Sequence, residues 1–378
     1  MQRKKMNLLW GLILLMLMVS ACNVSSPTAL ATAIPLPDSQ ATKAPVDKPL
    51  PTETQIPPAE QPTETAEPTA TFTPLVIEPE NAKNLTVIAV LPFTYPYQVV
   101  YANDNATLMV HSNEFVKVYD ANSFAMKKYR NIVAPEILLD ASPEGNIIAT
   151  TQDNQTLTLI DVVEDKTIQT IHLDSPFLGA QFSYDGATIG LELMDSMAIQ
   201  VLDVKTGEIL ATYSGFQTAA PVYSARILAK DNLVWFSRGL VQVMDMKDMT
   251  LSQPFGHEDF VSAIALTSDG KILATAAGQT VNDLFQPVIN LWNSESGEKI
   301  DTLIQANPIS SMAFSPDNHL LAAGSQKDIY IIDMTTHKIV MTLEASTESV
   351  NSLCFSPDGT TLVNTSSDSK VKAWKVIE

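Results

Sequence analysis

One tight turn recurs seven times along the chain, an acidic or polar residue followed by Gly or Asn, at Asn105, Gly145, Gly186, Asn232, Gly270, Asn318 and Gly359. Each copy stands between two short apolar, β-rich runs, and Gly and Asn are the residues that enter the left-handed backbone region a tight hairpin demands. The copies lie 38 to 48 residues apart. A period of about 40 to 45 residues is that of a four-stranded propeller blade. The spacing therefore predicts an all-β chain built as a seven-bladed β-propeller of four-stranded antiparallel blades.

A second mark closes the third strand of each blade, where an apolar residue precedes Asp or its substitute: Tyr119-Asp120, Ile160-Asp161, Leu202-Asp203, Met244-Asp245, Trp292-Asn293, Ile332-Asp333 and Trp374-Lys375. The fifth copy runs from Gly256-His257 through Val261 to Leu266, turns at Ser268-Asp269-Gly270 and ends at Leu291-Trp292-Asn293. The seventh runs through Phe355-Ser356-Pro357-Asp358-Gly359, then Ser366-Ser367-Asp368, and ends at Ala373-Trp374. On these residues the chain, from about residue 84 to its end, resembles the WD-repeat family. The resemblance implies a hydrogen-bonded brace of His, Ser or Thr, Asp and Trp inside a blade. By that pattern the fifth repeat keeps His257, Thr275 and Trp292, with an insertion near Asp283 where its Asp would fall, and the seventh keeps Ser366, Asp368 and Trp374. Elsewhere Ile, Leu, Met or Tyr stands in the Trp position, so those blades are expected to rely on apolar packing between sheets.

The last repeat stops after its third strand, and the run Leu85 to Val90 is apolar, β-branched and without another partner. It is placed as the outer strand of the seventh blade. Closing the ring in this way removes an unpaired sheet edge and ties the first part of the domain to the last.

Two segments of a different kind precede the propeller, which is assigned to 84–378. Arg3, Lys4 and Lys5 give a positive start, Leu8 to Val19 an apolar core, and Val19-Ser20-Ala21-Cys22 a small-residue site ending in Cys. This is the pattern of an export signal, assigned to 1–21, and it is short for a membrane span. Its last four residues resemble the bacterial lipobox, in which the Cys thiol receives the lipid, and this implies lipidation at Cys22. An uncleaved anchor helix is the alternative; either way the propeller is expected outside the cytoplasm, against a membrane of a bacterial cell envelope. Residues 22–83 follow as a linker. About half of the 23 prolines lie between 24 and 80, among Thr, Ala, Glu and Gln, a composition that cannot bury a core and is expected to form an extended, disordered tether.

The net charge of −19 weighs against binding nucleic acid or an anionic bilayer unaided, since both present phosphate. With Cys22 lipidated, Cys354 has no partner within the chain and reads as a small buried hydrophobe. The five His residues, His111, His172, His257, His319 and His337, are spread over strands, turns and the brace position. No His-Glu-x-x-His helix, Gly-x-Ser-x-Gly elbow or Gly-rich phosphate loop occurs. No catalytic residue, metal ligand or cofactor is therefore assigned.

Loops joining the outer strand of one blade to the inner strand of the next open on one face, together with the loops between second and third strands. Several carry aromatics: Phe93, Tyr95 and Tyr97 in the first, Phe216, Phe255, His257 and Phe260 in later ones, and Phe285 in the insertion Gly278 to Pro287. Aromatics on rigidly spaced loops suit a protein or peptide interface; the alternative is that the rings cap the ends of the blade cores. The expected function is a non-catalytic, lipid-anchored interaction scaffold, itself monomeric, for another envelope or surface protein or peptide. A propeller hydrolase of lactonase type, or a small-ligand receptor working at the channel mouth, stands as the alternative.

Overall fold

The repeated turns become hairpins between the first and second strands of seven antiparallel sheets. The computed structural model describes residues 74–377 other than 184, 195–197, 215–223, 230, 231, 238, 246–249, 253 and 254. The first strands are Gln98–Tyr101, Ile137–Ala141, Phe177–Phe182, Ser224–Ala229, Val261–Leu266, Ser311–Phe314 and Val350–Phe355, in blades 1 to 7 respectively. In blades 1 to 6 the chain then meanders outward through three further strands; in blade 4 the fourth is split into Thr250–Leu251 and Phe255–Gly256, both paired with Leu240–Asp245.

Blade 7 draws its fourth strand from the other side of the sequence. Leu85–Pro92 pairs antiparallel with Lys370–Val376, from Leu85 opposite Val376 to Pro92 opposite Lys370. The first strand of blade 7 in turn lies against that of blade 1. Apolar clusters join blades 1 and 2, 2 and 3, 4 and 5, 5 and 6, 6 and 7, and 7 and 1; blade 3 meets blade 4 through their first strands. Second strands are buried along most of their length, as in Ile147–Thr151, Leu320–Gly324 and Leu362–Ser366, whereas fourth strands such as Met126–Asn131 are exposed or half-buried. The core therefore sits between the sheets, on strands two and three.

The turn chemistry explains the repeat. In blade 6 the Asn318 amide donates to the Ser315 carbonyl at 2.9 Å, the Ser315 hydroxyl donates to Asp317 Oδ1 at 2.5 Å, and the same hydroxyl oxygen accepts the Leu320 amide at 2.9 Å. Ser183 with Asp185, Thr267 with Asp269 and Ser356 with Asp358 repeat the arrangement, each hydroxyl residue buried. One buried hydroxyl thus joins the carboxylate to the backbone and leaves neither polar group unpaired. Asn105, Gly145, Gly186, Gly270, Asn318 and Gly359 all take positive φ. Asn232 does not have the expected place at a turn: it opens the second strand of blade 4, opposite Ala229.

The Asp that closes the third strand caps the next hairpin. Oδ1 of Asp120 accepts the amides of Asn122 and Ser123, and Asp161, Asp203, Asn293 and Asp333 do likewise with residues two and three ahead. These bonds hold the carboxyls of Asp120 and Asp203 below the usual range, and at Asp333 the Thr336 hydroxyl, ahead of the amides, does the same. In blade 7 no hairpin follows the third strand, because the fourth arrives from residue 85, and Lys375 stands there opposite Thr86. The departure from the pattern is a consequence of the ring's closure.

Residues 74–83, assigned from composition to the linker, belong to the folded unit. Ile77 and Ala82 are wholly buried in the cluster between blades 6 and 7, and the Ile77 amide donates to the Gly359 carbonyl at 3.0 Å. A short 3-10 turn, Ala82–Asn84, leads into the closing strand. Ile77 and Ala82, with Leu75 packed against the same cluster, dock this stretch, since full burial of an Ile is worth about 1.5–3 kcal/mol. The signal segment, Cys22 and the rest of the linker lie outside the described residues.

Neighbouring turns pack closely enough to test. Gly145 has φ of +77°, and a Cβ there would lie 2.5 Å from Ala102 Cβ in the turn of blade 1. Gly145→Ala is expected to destabilise the domain by about 2–4 kcal/mol, from left-handed strain of about 1–2 kcal/mol plus overpacking. Gly179→Ala, where no heavy atom lies within 4 Å, is expected to be neutral or slightly stabilising. Thermal and denaturant unfolding of the two variants measures the difference.

Candidate functional site

The meander puts the first-to-second and third-to-fourth turns on one face of the ring and all remaining loops on the other. On this second face the candidate aromatics fall into two separate groups rather than one cluster. At the junction of blades 7 and 1, Tyr95 is 72% and Tyr97 65% exposed. Phe93, expected beside them, turns inward instead: it is 2% exposed and its ring lies 5.0 Å from that of Phe115, with the Lys117 ammonium 4.9 Å above it. The Phe93 amide donates to the Ser369 carbonyl, which locks the strand end and commits that ring to the core of blade 1. Phe93 is therefore a cap of the blade and not part of the surface. The loop beyond it is anchored too. Asn351 Nδ2 donates to the Pro96 carbonyl at 2.8 Å, and the Tyr97 amide donates to that of His111 at 2.8 Å.

The second group is on blade 5. Phe260 is 46%, Leu284 65% and Phe285 62% exposed. The insertion that the sequence suggested is a regular extension of one hairpin, Ile272–Val281 paired with Leu284–Asn293 through to Val281 opposite Leu284. Asn282 and Asp283 close it with φ of 51° and 62°, the two left-handed residues of a hairpin turn matched to strand twist. Glu258 Oε2 accepts the Thr280 amide at 2.9 Å and so ties the preceding loop to the hairpin, a bond that lowers the Glu258 carboxyl pKa. Phe285 lies over Gly278, where a Cβ would come within 2.4 Å of its Cζ; the missing side chain makes the seat for the ring. Phe255 is buried, 5.3 Å from the Trp292 ring, and Phe216 lies outside the described residues.

Beneath this group, the Trp292 indole N–H donates to Thr275 Oγ1 at 2.8 Å, and the His257 ring packs edge-on against the indole at 5.4 Å. The Lys299 ammonium sits 4.8 Å from the Trp292 centroid, on the ring's electron-rich face. The blade 7 brace differs from the expected one. Trp374 donates to Asn364 Oδ1 at 2.8 Å, and Asn364 Nδ2 donates onward to the Ser366 hydroxyl. The register explains it: Leu273 faces Trp292 and Leu362 faces Trp374, so Asn364, not Ser366, is the counterpart of Thr275. Asp368 is engaged instead by the Thr347 amide and the Lys370 ammonium, each at 3.5 Å or less.

The five His residues are dispersed. His172 meets Thr156, His337 meets Asp301 at 2.7 Å, and His319 meets Glu78 and Asp317 on the opposite face. Burial pulls His111 down to about 4, with Nε2 at 3.0 Å from Gln98 Oε1, and pulls His257 down to about 4 as well. Cys354 is packed in the cluster between blades 7 and 1, and burial pushes its thiol up to about 12.

Three stretches, 249–282, 297–333 and 337–375, match the model of the WD domain, G-beta repeat, so the chain carries WD repeats. Each begins near the fourth strand of one blade and runs into the next blade, the same one-strand offset that the closing strand resolves. Among curated proteins, the small ribosomal subunit protein RACK1z of Oryza sativa subsp. japonica is 30% identical over 128 residues, 32% of this chain and 36% of that protein. RACK1 of Schizosaccharomyces pombe is 28% identical over 131 residues, 32% of this chain and 40% of its own. The U3 small nucleolar RNA-associated protein 21 homolog of S. pombe is 27% identical over 147 residues, 38% of this chain and 16% of its own. The chain thus spans less than half the length of these relatives.

The braces and the buried imidazole each give a measurable consequence. Thr275→Val or Asn364→Leu strands a buried indole N–H, and each is expected to cost about 1–3 kcal/mol in an unfolding titration. His111 has a folded value of about 4 against an ordinary 6.5. Above pH 6.5 both states are neutral there; as pH falls from 6.5 towards 4 the unfolded chain takes the proton and the folded one does not. Stability is therefore expected to fall across that window, by up to about 3 kcal/mol from this residue at roughly 1.4 kcal/mol per unit. His111→Gln is expected to flatten that part of the stability–pH curve.

Proposed function

We propose that this chain is a non-catalytic protein-interaction scaffold, held outside the cytoplasm by lipid on Cys22 and docking another envelope or surface protein or peptide through the face that carries Tyr95, Tyr97, Phe260 and Phe285. The carrying observation is that large aromatic and apolar side chains stand out from rigid, hydrogen-bonded loops: Phe285 on its Gly278 seat, Tyr97 on strand-end bonds to blade 1. Such rings give contact area at small entropic cost, because their supports are already ordered. The names of the relatives place one kind in the small ribosomal subunit and another in association with U3 small nucleolar RNA, so each works as a part of something larger. The location rests on the basic start, the apolar run and the small residues before Cys22. With a net charge of −19, a basic partner surface suits it best.

Two experiments separate the parts of this reading. Tyr95, Phe260 and Phe285 changed together to Ser are expected to abolish capture of a specific protein by crosslinking in intact cells, while the melting temperature stays unchanged; undiminished capture by the triple variant refutes the face. In cells given a labelled fatty acid, the parent chain is expected to take up the label and Cys22→Ala to lose it; a parent chain that stays unlabelled refutes the lipid anchor.

A further inference from the structure

On the face opposite the aromatics, the segment entering the propeller meets the turn of blade 6. There Glu78, Asp317 and His319 bring one donor atom each to within 4.8 Å of one another. His319 Nδ1 is 3.2 Å from Glu78 Oε2 and 3.4 Å from Asp317 Oδ2. We propose that these three side chains form a binding site for a divalent first-row transition ion, of which zinc is the type, and that the ion fastens residues 74–84 to blade 6.

Geometry is the first argument. Two donors bound at about 2.1 Å to one ion, at angles between octahedral and tetrahedral, lie roughly 3.0–3.4 Å apart. The two separations from the imidazole nitrogen fall in or at the edge of this range, and all three donor atoms lie within 4.8 Å of one another. An imidazole with two carboxylates also selects by chemistry: it suits zinc and its neighbours, whereas magnesium and calcium prefer all-oxygen sets. Because the cluster is open to solvent, water completes the coordination.

Preorganisation is the second. The Glu78 amide donates to Asn81 Oδ1, its carbonyl accepts the amides of Asn81 and Ala82, and Ile77 beside it is buried. Asp317 has one oxygen occupied by the Ser315 hydroxyl and the His319 amide, which leaves Oδ2 as the one turned to the imidazole. The turn itself is fixed from blade 5, where the Ser268 amide donates to Asn318 Oδ1 at 2.9 Å. All three donors therefore stand on anchored backbone.

The third argument is the departure from the repeat. Two residues beyond the turn acid, the other blades carry Ala106, Asn146, Ala187, Leu233, Lys271 and Thr360. A ligating side chain appears at that place in blade 6, the blade to which the incoming segment delivers Glu78. Nothing in the hairpin's own hydrogen bonding requires His there, since the same turn is built with Ala, Asn, Lys and Thr.

Protons compete with the ion for the imidazole nitrogen and the carboxylates, so acid is expected to weaken metal binding. The test uses the full chain, stripped with chelator and titrated with zinc chloride by calorimetry at pH 7.5, with melting temperature followed in parallel. The expected result is one saturable equivalent lost on acidification to pH 5.5, and a melting temperature that rises with zinc. His319→Ala and Glu78→Gln are expected to weaken that equivalent by more than about 100-fold, since loss of a direct ligand exceeds the usual 10–100-fold loss of an outer-shell partner. Both variants must melt as the parent does in the absence of zinc. His337→Ala, which removes the separate His337–Asp301 pair, is expected to leave binding unchanged. No heat and no shift with the parent chain, or binding that persists in His319→Ala, overturns the site.

Discussion

A sheet edge that must not be left open governs this molecule. Six blades complete themselves by hairpins; the seventh ends with a row of free backbone donors and acceptors on Lys370–Val376, and Leu85–Pro92 fills it. Each blade buries its second and third strands only against its neighbours, so an opened ring exposes apolar flanks at the break between blades 7 and 1. The closing pairing therefore converts a row of nearest-neighbour contacts into one cooperative unit. It also explains local irregularities elsewhere, among them Lys375 in an Asp position and the docking of Ile77 and Ala82 ahead of the strand.

The fold was legible because its most repeated element is made of short-range chemistry. In blades 3, 5, 6 and 7 a buried Ser or Thr, an Asp two residues on and a left-handed Gly or Asn satisfy one another within six residues, so those copies write themselves into contiguous sequence. The Asp that ends the third strand is equally local, with its partners two and three residues ahead. Blade 4 shows the limit: Asn232 has the right residue type but lies in a strand.

What escaped the sequence depends on register and on the third dimension. Phe93 and Tyr95 are two residues apart, yet one is buried under Phe115 and the other stands in solvent; the strand ends at Pro92 and Tyr95 takes a φ of 48°, so the chain has left the alternation that would keep residues two apart on one side, and that end is not written in composition. Residue type alone puts Ser366 in the Ser or Thr place of the brace, whereas cross-strand position assigns that role to Asn364, whose amide can both accept from the indole and donate onward. Glu78 and His319 are 241 residues apart, and one of them lay in a segment whose Pro and Thr content reads as a tether. Ile77 and Ala82, with Leu75 packed against the same cluster, override that composition.

The two faces of the ring carry different chemistry, and the topology is the reason. The face with the repeated turns is built of short, mutually hydrogen-bonded loops, in which Asn105 reaches Asp358 and Ser268 reaches Asn318 from blade to blade. Such loops have little freedom to vary, so novelty there comes from single substitutions such as His319. The other face carries the connections that can lengthen without disturbing a blade, and it is there that blade 5 extends its hairpin by whole residue pairs with the register kept. A hairpin lengthened in pairs keeps Phe285 on the same side of the strand as its seat at Gly278. Length, register and the missing side chain together hold an apolar ring out from the rim, an arrangement whose exposure to water is offset only when another surface covers it.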